Sequence, residues 1–327
     1  MTAPLSSWQQ DLAAAFTKPT DLLHYLEIDT AAFSLPAQQD FAMRVPRAYA
    51  ACMQKGDLND PLLKQVLPIY DELYSPAHYQ YDPVGDLSAL TKNCIIHKYH
   101  GRVLFITTGG CAINCRFCFR RNFPYADVRL DKQNIHTALE YLRCNISINE
   151  VILSGGDPLL LSDQNLADLI TQFAQIPQLK RIRIHTRLPV VLPSRITPHL
   201  VEILNHATLP IVMVVHCNHA NELSPQAMAA CLRLKQKNIS LFNQTVLLKD
   251  INDKSIVLQQ LSEQLFASGV LPYYLHLLDK AKGVAHFDVP EQEAVNIHQQ
   301  LQQLLPGYLV PKLVKEQAGK ASKTLII

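Results

Sequence analysis

The sequence predicts an α/β fold: a partial TIM-type barrel of six strand–helix units, (β/α)6, preceded by a mostly helical region. Three observations carry this. From about residue 95, strand-like apolar runs alternate regularly with helix-like segments. Two of those segments open with strong capping chemistry: Thr197-Pro198 and Ser224-Pro225 each place a hydroxyl before a proline at the first helical position. Residues 1–90 lack the alternation and show a helical pattern broken at Pro36, Pro46, Pro61, Pro68, Pro76 and Pro83.

In chain order, the first ninety residues hold no catalytic constellation, and the stretch from Ser75 to Asp86 reads as a connector. The expected strands are 103–107, 151–153, 181–185, 211–216, 240–246 and 273–277. The expected helices are 132–143, 162–174, 197–205, 224–237, 255–266 and 290–305. Six such units in succession imply parallel strands with right-handed crossovers. An eight-fold barrel fills its own centre with side chains, whereas six units leave a wider cleft. In either case the chemistry belongs on loops after the strand C-termini. The expected division is a helical region over 1–95 and a barrel with its C-terminal segment over 96–327.

Composition narrows the function. The 327 residues are 48% hydrophobic and 18% charged, which excludes bulk disorder. A net charge of +2 excludes a protein that works by neutralising many nucleic-acid phosphates. No apolar run reaches membrane-spanning length, and Leu209 to Cys217 is strand-sized. The start MTAPLSSWQQ has no basic segment followed by an apolar one, so the expectation is a cytoplasmic, reduced protein. Eight cysteines are then not a disulfide scaffold, and clustered ones bind metal or do chemistry.

Such a cluster follows the first barrel strand. In TTGGCAINCRFCFRR, Cys111, Cys115 and Cys118 are spaced C-x3-C-x2-C. Three thiolates leave one iron of a four-iron cube free to bind something else. Structural zinc wants four protein ligands, and no fourth Cys or His stands at zinc-like spacing downstream. Buried free thiols are the plain alternative. Gly109 and Gly110 let the backbone wrap closely. The second strand runs into Ser154-Gly155-Gly156-Asp157, where adjacent glycines leave backbone groups free for a ligand. Cys52, Cys94, Cys144, Cys217 and Cys231 are scattered and read as small buried residues. His216-Cys217-Asn218-His219 reads as a polar barrel mouth facing a cofactor rather than as a metal site.

The cysteine spacing and its place after a first barrel strand resemble the radical SAM enzymes. That resemblance implies a [4Fe-4S] cluster on Cys111, Cys115 and Cys118, with S-adenosyl-L-methionine on the open iron and its methionine end against Ser154, Gly155, Gly156 and Asp157. Longer segments resemble one family, the lysine 2,3-aminomutases: RVLFITTGGCAINCRFCFRR, VILSGGDPLLLSD, HTRLPVVLPSRIT, HCNHANELS, NQTVLLKDIND, PYYLHLLDKAKGVAHF and YLVPKLVKEQAGKASKT, from about Lys98 to Lys323. This second resemblance implies pyridoxal 5'-phosphate carried on Lys323, with Lys320 as rival. It also implies Arg102 on the cofactor phosphate and Tyr99 as a neighbouring contact. The family's glycine run is replaced here by Ala318-Gly319-Lys320-Ala321-Ser322. Arg120 matches the arginine for the substrate carboxylate, and Arg121 beside it reads as a surface charge. Asp279 matches an acid for the lysine ε-ammonium, and Glu316 stands where the family has a second aspartate.

The implied reaction moves the amino group of L-lysine from C2 to C3. Ile327 lies four residues past Lys323. This compact form resembles the bacterial aminomutases that supply (R)-β-lysine for modification of elongation factor P through a separate ligase. An electron donor such as flavodoxin is implied as a further partner. The alternative function is a radical SAM enzyme of another class, such as an activase or an aminomutase on a different amino acid.

Overall fold

The computed structural model describes residues 7–29, 41–92, 94–128, 130–236 and 238–326. Pro36, Lys237 and Ile327 lie outside them. One sheet of ten strands runs in chain order: β1 Leu90–Thr91, β2 Ile95–Tyr99, β3 Arg102–Thr108, β4 Glu150–Gly155, β5 Arg181–Thr186, β6 Ile211–His216, β7 Ile239–Val246, β8 Leu271–His276, β9 Lys312–Lys315 and β10 Thr324–Leu325. The six expected strands are β3 to β8, each parallel to the next. The edges are additions. β9 pairs parallel to β8, and β10 turns back antiparallel on β9. At the other edge β1, β2 and β3 form an antiparallel meander.

Alternation decides which residues reach the site. In β5, Ile182, Ile184 and Thr186 are buried, while Arg181, Arg183 and His185 are half-buried on the other face. Each of β3 to β8 is followed by a helix: Lys132–Cys144, Asp163–Ala174, Pro198–Asn205, Pro225–Leu234, Ser255–Ala267 and Glu291–Leu304. The caps act as the sequence implied. Thr197 Oγ1 accepts from the Leu200 N–H at 3.1 Å, and Ser224 Oγ from the Ala227 N–H at 3.1 Å. No helix of the described residues is long and apolar enough to cross a membrane.

The N-terminal helices, Ser7–Ala13, Pro19–Tyr25, Arg47–Ala50 and Pro61–Lys64, are shorter than a mostly helical region implies; Pro19 and Pro61 open two of them and Pro46 precedes a third. Their apolar residues do not form a separate core. Trp8, Leu22, Tyr49 and Leu62 belong to the same buried cluster as Phe105, Phe173, Ile184 and Leu204. The packing therefore has no break at residue 95. Nor is the 75–86 stretch a mere connector: the Gln80 N–H donates to the Lys280 carbonyl at 2.8 Å, and the Lys282 N–H to the Gln80 carbonyl at 3.0 Å. It lies across the segment that follows β8. Among the scattered cysteines, Cys94, Cys217 and Cys231 are buried, but Cys52 is half-buried and Cys144 is exposed.

A buried polar knot fixes the N-terminal region to the strand ends. Gln65 Nε2 donates to Glu222 at 3.1 Å, while its Oε1 accepts from Arg187 at 2.7 Å and from Asn218 at 3.1 Å. The Asn218 and His219 N–H groups both donate to Glu222. Of the expected barrel mouth, Asn218 puts its side chain into this knot and His219 its backbone N–H. Replacing Gln65 by Leu strands buried donors on Arg187 and Asn218, at a cost of about 1–3 kcal/mol. Urea unfolding of Gln65→Leu beside wild type checks this; an unchanged midpoint would show that the knot carries no stability.

Candidate active site

The cysteine loop leaves β3 at Thr108 and is stitched to the end of β4. The Gly156 N–H donates to the Thr108 carbonyl at 2.6 Å, and the Asp157 N–H to the Gly110 carbonyl at 2.8 Å. The approach is so close that a Cβ on Gly156 would lie 2.0 Å from the Gly110 oxygen, and Gly155 holds φ at +111°. The glycines are needed here for close contact between chain segments. The Gly156 N–H is thus taken up by this stitch, and the Gly155 carbonyl accepts from Tyr125 Oη at 2.7 Å.

Asp157 is likewise turned inward. Its carboxylate accepts from Thr186 Oγ1 at 2.7 Å and from the N–H groups of Leu159 and Arg187 at 3.1 and 2.7 Å. Burial pushes its pKa up to about 6 against those hydrogen bonds. Ser154 Oγ accepts from Arg120 at 3.4 Å.

The three thiols lie within electrostatic reach of one another. Burial drives Cys111 well up, and Cys118 and Cys115 add to the rise. Burial and Cys115 push Cys118 up to about 11. Cys115 is also raised by burial, but Arg187 opposes the rise, its Nη1 donating to the Cys115 sulfur at 2.6 Å. The Cys111 carbonyl accepts from Arg44 at 3.2 Å.

Behind the loop, Arg116 is buried and forks onto Glu72 at 2.7 and 2.5 Å, and Arg121 reaches the same carboxylate at 2.6 Å. Arg121 is therefore no surface charge. Its side chain is 7% exposed because Glu72 and the Gly283 carbonyl hold it. Three soft thiols, an adjacent cation and a buried Arg187 Nε without a partner fit a group that takes three cysteines and further polar contacts. Among the described residues no three Cys, His, Asp or Glu side chains form a single-ion shell.

The second half of the site is a chain of charges where the two sheet edges meet. Lys98 on β2 is paired with Asp86 and, at 3.2 Å, with Glu316 just beyond β9. Glu316 also accepts from Lys323 Nζ at 2.5 Å. Asp86 accepts from Arg120 Nε at 2.6 Å. Burial raises both carboxyls, but their cations outweigh it: Glu316 falls to about 2, and Asp86 is held below its usual range.

Asp279, after β8, differs. Burial lifts it to about 7, with Glu316 adding to the rise and Lys323 opposing it. Tyr99 is raised by burial and by its hydrogen bond to Glu316, and the Arg102 guanidinium lies 4.6 Å from its ring centre. Lys320 is exposed, whereas Lys323 is turned inward on Glu316. His185 and His276 keep buried Nε2 atoms without partners, and both are pushed well down by burial with the Lys323 charge adding to it. They offer a bound molecule unsatisfied polar groups beside Lys323.

The structure thus brings together Tyr99, Arg102, Arg120, Asp279, Glu316 and Lys323. Sequence reasoning missed Asp86, Lys98, Arg187, His185 and His276. The pattern Asp-Pro-Val-Gly-Asp around Asp86 looked like any turn, and its partners are distant in sequence.

Comparison with known proteins places the chain in a family. Residues 105–258 match the Radical SAM superfamily. The chain is 46% identical over 326 residues to the L-lysine 2,3-aminomutase of Escherichia coli, covering 99% of this chain and 95% of that one. It is 44% identical to the L-lysine 2,3-aminomutase of Haemophilus influenzae, with 98% and 95% covered. It is 42% identical to that of Buchnera aphidicola, again with 98% and 95% covered. With this likeness over nearly its whole length, the chain belongs to the lysine 2,3-aminomutase family of radical SAM proteins.

Proposed function

We propose that this protein converts L-lysine to β-lysine by moving the amino group from C2 to C3. The product is the R isomer, which a separate ligase passes to elongation factor P. The observation that supports the reading is the linkage of Lys323, Glu316, Asp279, Arg102 and Arg120 through one set of ion pairs, hydrogen bonds and ring contacts that also includes Tyr99, Lys98 and Asp86. The family uses a [4Fe-4S] cluster, S-adenosyl-L-methionine and pyridoxal 5'-phosphate. When bound, they supply a carbon-centred radical and a conjugated ring over which an unpaired electron spreads.

The chain's own residues do the rest. Cys111, Cys115 and Cys118 hold the cluster. Ser154 and the Gly155-Gly156-Asp157 turn shape the S-adenosylmethionine side, the turn acting through its stitch to the cysteine loop. Lys323 carries the pyridoxal group, and ionised Glu316 fixes its amine. Arg102, stacked on Tyr99, meets the phosphate, for which an arginine fork is suited. Asp86 occupies the Nε edge of Arg120, so the remaining N–H groups face the substrate carboxylate. Asp279 takes the ε-ammonium. The working compartment is the cytoplasm, and the electron comes from a small one-electron donor such as flavodoxin.

Anaerobic incubation of reconstituted protein with reductant, S-adenosylmethionine and L-lysine, read on a chiral column, tests the function. (R)-β-Lysine is expected. The S isomer would remove the elongation-factor role, and cleavage of S-adenosylmethionine with lysine untouched would remove the substrate. Lys323→Ala is expected to lose β-lysine formation and visible Schiff-base absorbance while retaining iron, and Lys320→Ala to keep all three; the reverse pattern would exchange the two lysines.

Asp279 gives a pH signature. Its folded pKa of about 7 exceeds the ordinary carboxylate value of 3.8, so the folded state binds the extra proton and stability falls as pH rises between those values. In cofactor-free protein, the urea midpoint of wild type should drop more from about pH 5 to about pH 8 than that of Asp279→Asn. Parallel profiles would show that Asp279 ionises normally.

A further inference from the structure

We infer that Arg187 is a positioning residue that raises the reduction potential of the iron–sulfur cluster through the Cys115 sulfur. The inference rests on the proposal that Cys115 is a cluster ligand.

Arg187 follows the last residue of β5 and is held at its backbone and at both terminal nitrogens. Its own N–H donates to Asp157 at 2.7 Å. Nη2 donates to Gln65 at 2.7 Å, to Glu222 at 2.8 Å and to Tyr49 Oη at 3.3 Å. The guanidinium lies 5.4 Å from the Tyr49 ring centre and 5.6 Å from that of Phe117. Nε has no partner, and Nη1 points at the Cys115 sulfur, 2.6 Å away.

The geometry separates two tasks on one guanidinium. Glu222, fully buried, balances the charge from the Nη2 side. The Nη1 side is left to a sulfur, a weak acceptor. A cation that hydrogen-bonds a ligating thiolate withdraws electron density from it and stabilises an added electron, so the potential rises. Burial strengthens the effect, because little water screens the pair. The step governed is a plain electron transfer. A one-electron donor is oxidised, the cluster is reduced by that electron, and no bond to Arg187 forms or breaks.

The arrangement also assigns work to the N-terminal region. Tyr49 and Gln65 are two of the three side chains that hold Nη2, so residues far from the cysteines in sequence aim the charge at the cluster.

A purely structural Arg187 would support the knot without touching the potential, and an EPR-monitored redox titration of the reconstituted full chain separates the two. In Arg187→Met, the ratio of reduced to oxidised cluster at a fixed potential is expected to fall at least tenfold, which is 59 mV for one electron. Iron content is expected to stay at the wild-type level. Arg187→Lys, which keeps a cation for Glu222 but loses the fork, is expected to fall between the two. The double variant Arg187→Met/Glu222→Leu removes both charges and supplies the same reading if the single variant leaves Glu222 buried alone and fails to fold. Wild-type potential in iron-replete variants would overturn the inference. Absence of a cluster from wild type, or unchanged iron and sulfide in a Cys111→Ala/Cys115→Ala/Cys118→Ala triple variant, would instead overturn the parent assignment.

Discussion

A sheet whose seven parallel strands, β3 to β9, do not close into an eight-fold barrel is left with two ends, and here the two ends are linked by the charge on Lys98. This residue sits on β2 at one edge and bonds Glu316 just beyond β9 at the other, while also pairing with Asp86. Closure by side-chain ions differs from closure by a ladder. Backbone pairing would fill the seam, whereas ion pairs leave room for polar groups that point inward. Asp86 is buried and Lys98 and Glu316 are partly buried, so removing one partner leaves a poorly compensated charge. Because Glu316 and Asp86 both stay ionised far below neutral pH, the seam is firm wherever the protein works.

The same charges extend in both directions from the seam. Asp86 reaches Arg120, two residues beyond Cys118, and Glu316 reaches Lys323. An alternating series, Arg120, Asp86, Lys98, Glu316, Lys323, therefore links the cysteine loop to the C-terminal lysine. The N-terminal region adds a second anchor from below: Glu72 gathers Arg116 and Arg121, and Gln65 meets Arg187 and Glu222. The loop that bears the cysteines has little regular structure of its own. Its shape comes from arginines held by carboxylates elsewhere in the chain, together with the glycine stitch at its start.

What the sequence made legible follows from range. The six strands, their helices and two caps depend on periodicity and on neighbours within four residues, so they could be read directly. The three cysteines serve one site from within eight residues, and that too is local. The edge strands β1 and β10 are two residues long, too short for any pattern. Lys98 and Glu316 are 218 positions apart, so nothing nearby announces their pairing. Arg121 shows the same limit, since a buried arginine and an exposed one are spelled alike until the distant Glu72 is in place. Gly155 and Gly156 were legible as places where the backbone is left bare, but their close contact with the Gly110 segment was not, since that partner comes from a different strand end.

The charge count at the site explains why a dibasic amino acid suits it. On the proposed assignment, Arg120, Lys98 and Lys323 face two firmly ionised carboxylates, Asp86 and Glu316, with Asp279 close to neutral. An incoming lysine sets its carboxylate against Arg120 and its ε-ammonium against Asp279. The ammonium opposes the burial that keeps Asp279 protonated, so substrate and acid become charged partners together. A glutamate side chain would place a carboxylate beside Asp279, with Glu316 and Asp86 already near, and each added negative charge would raise the cost of the next. A neutral side chain would leave Asp279 protonated and without its ionic partner. Discrimination then comes as much from what the acids repel as from what they bind.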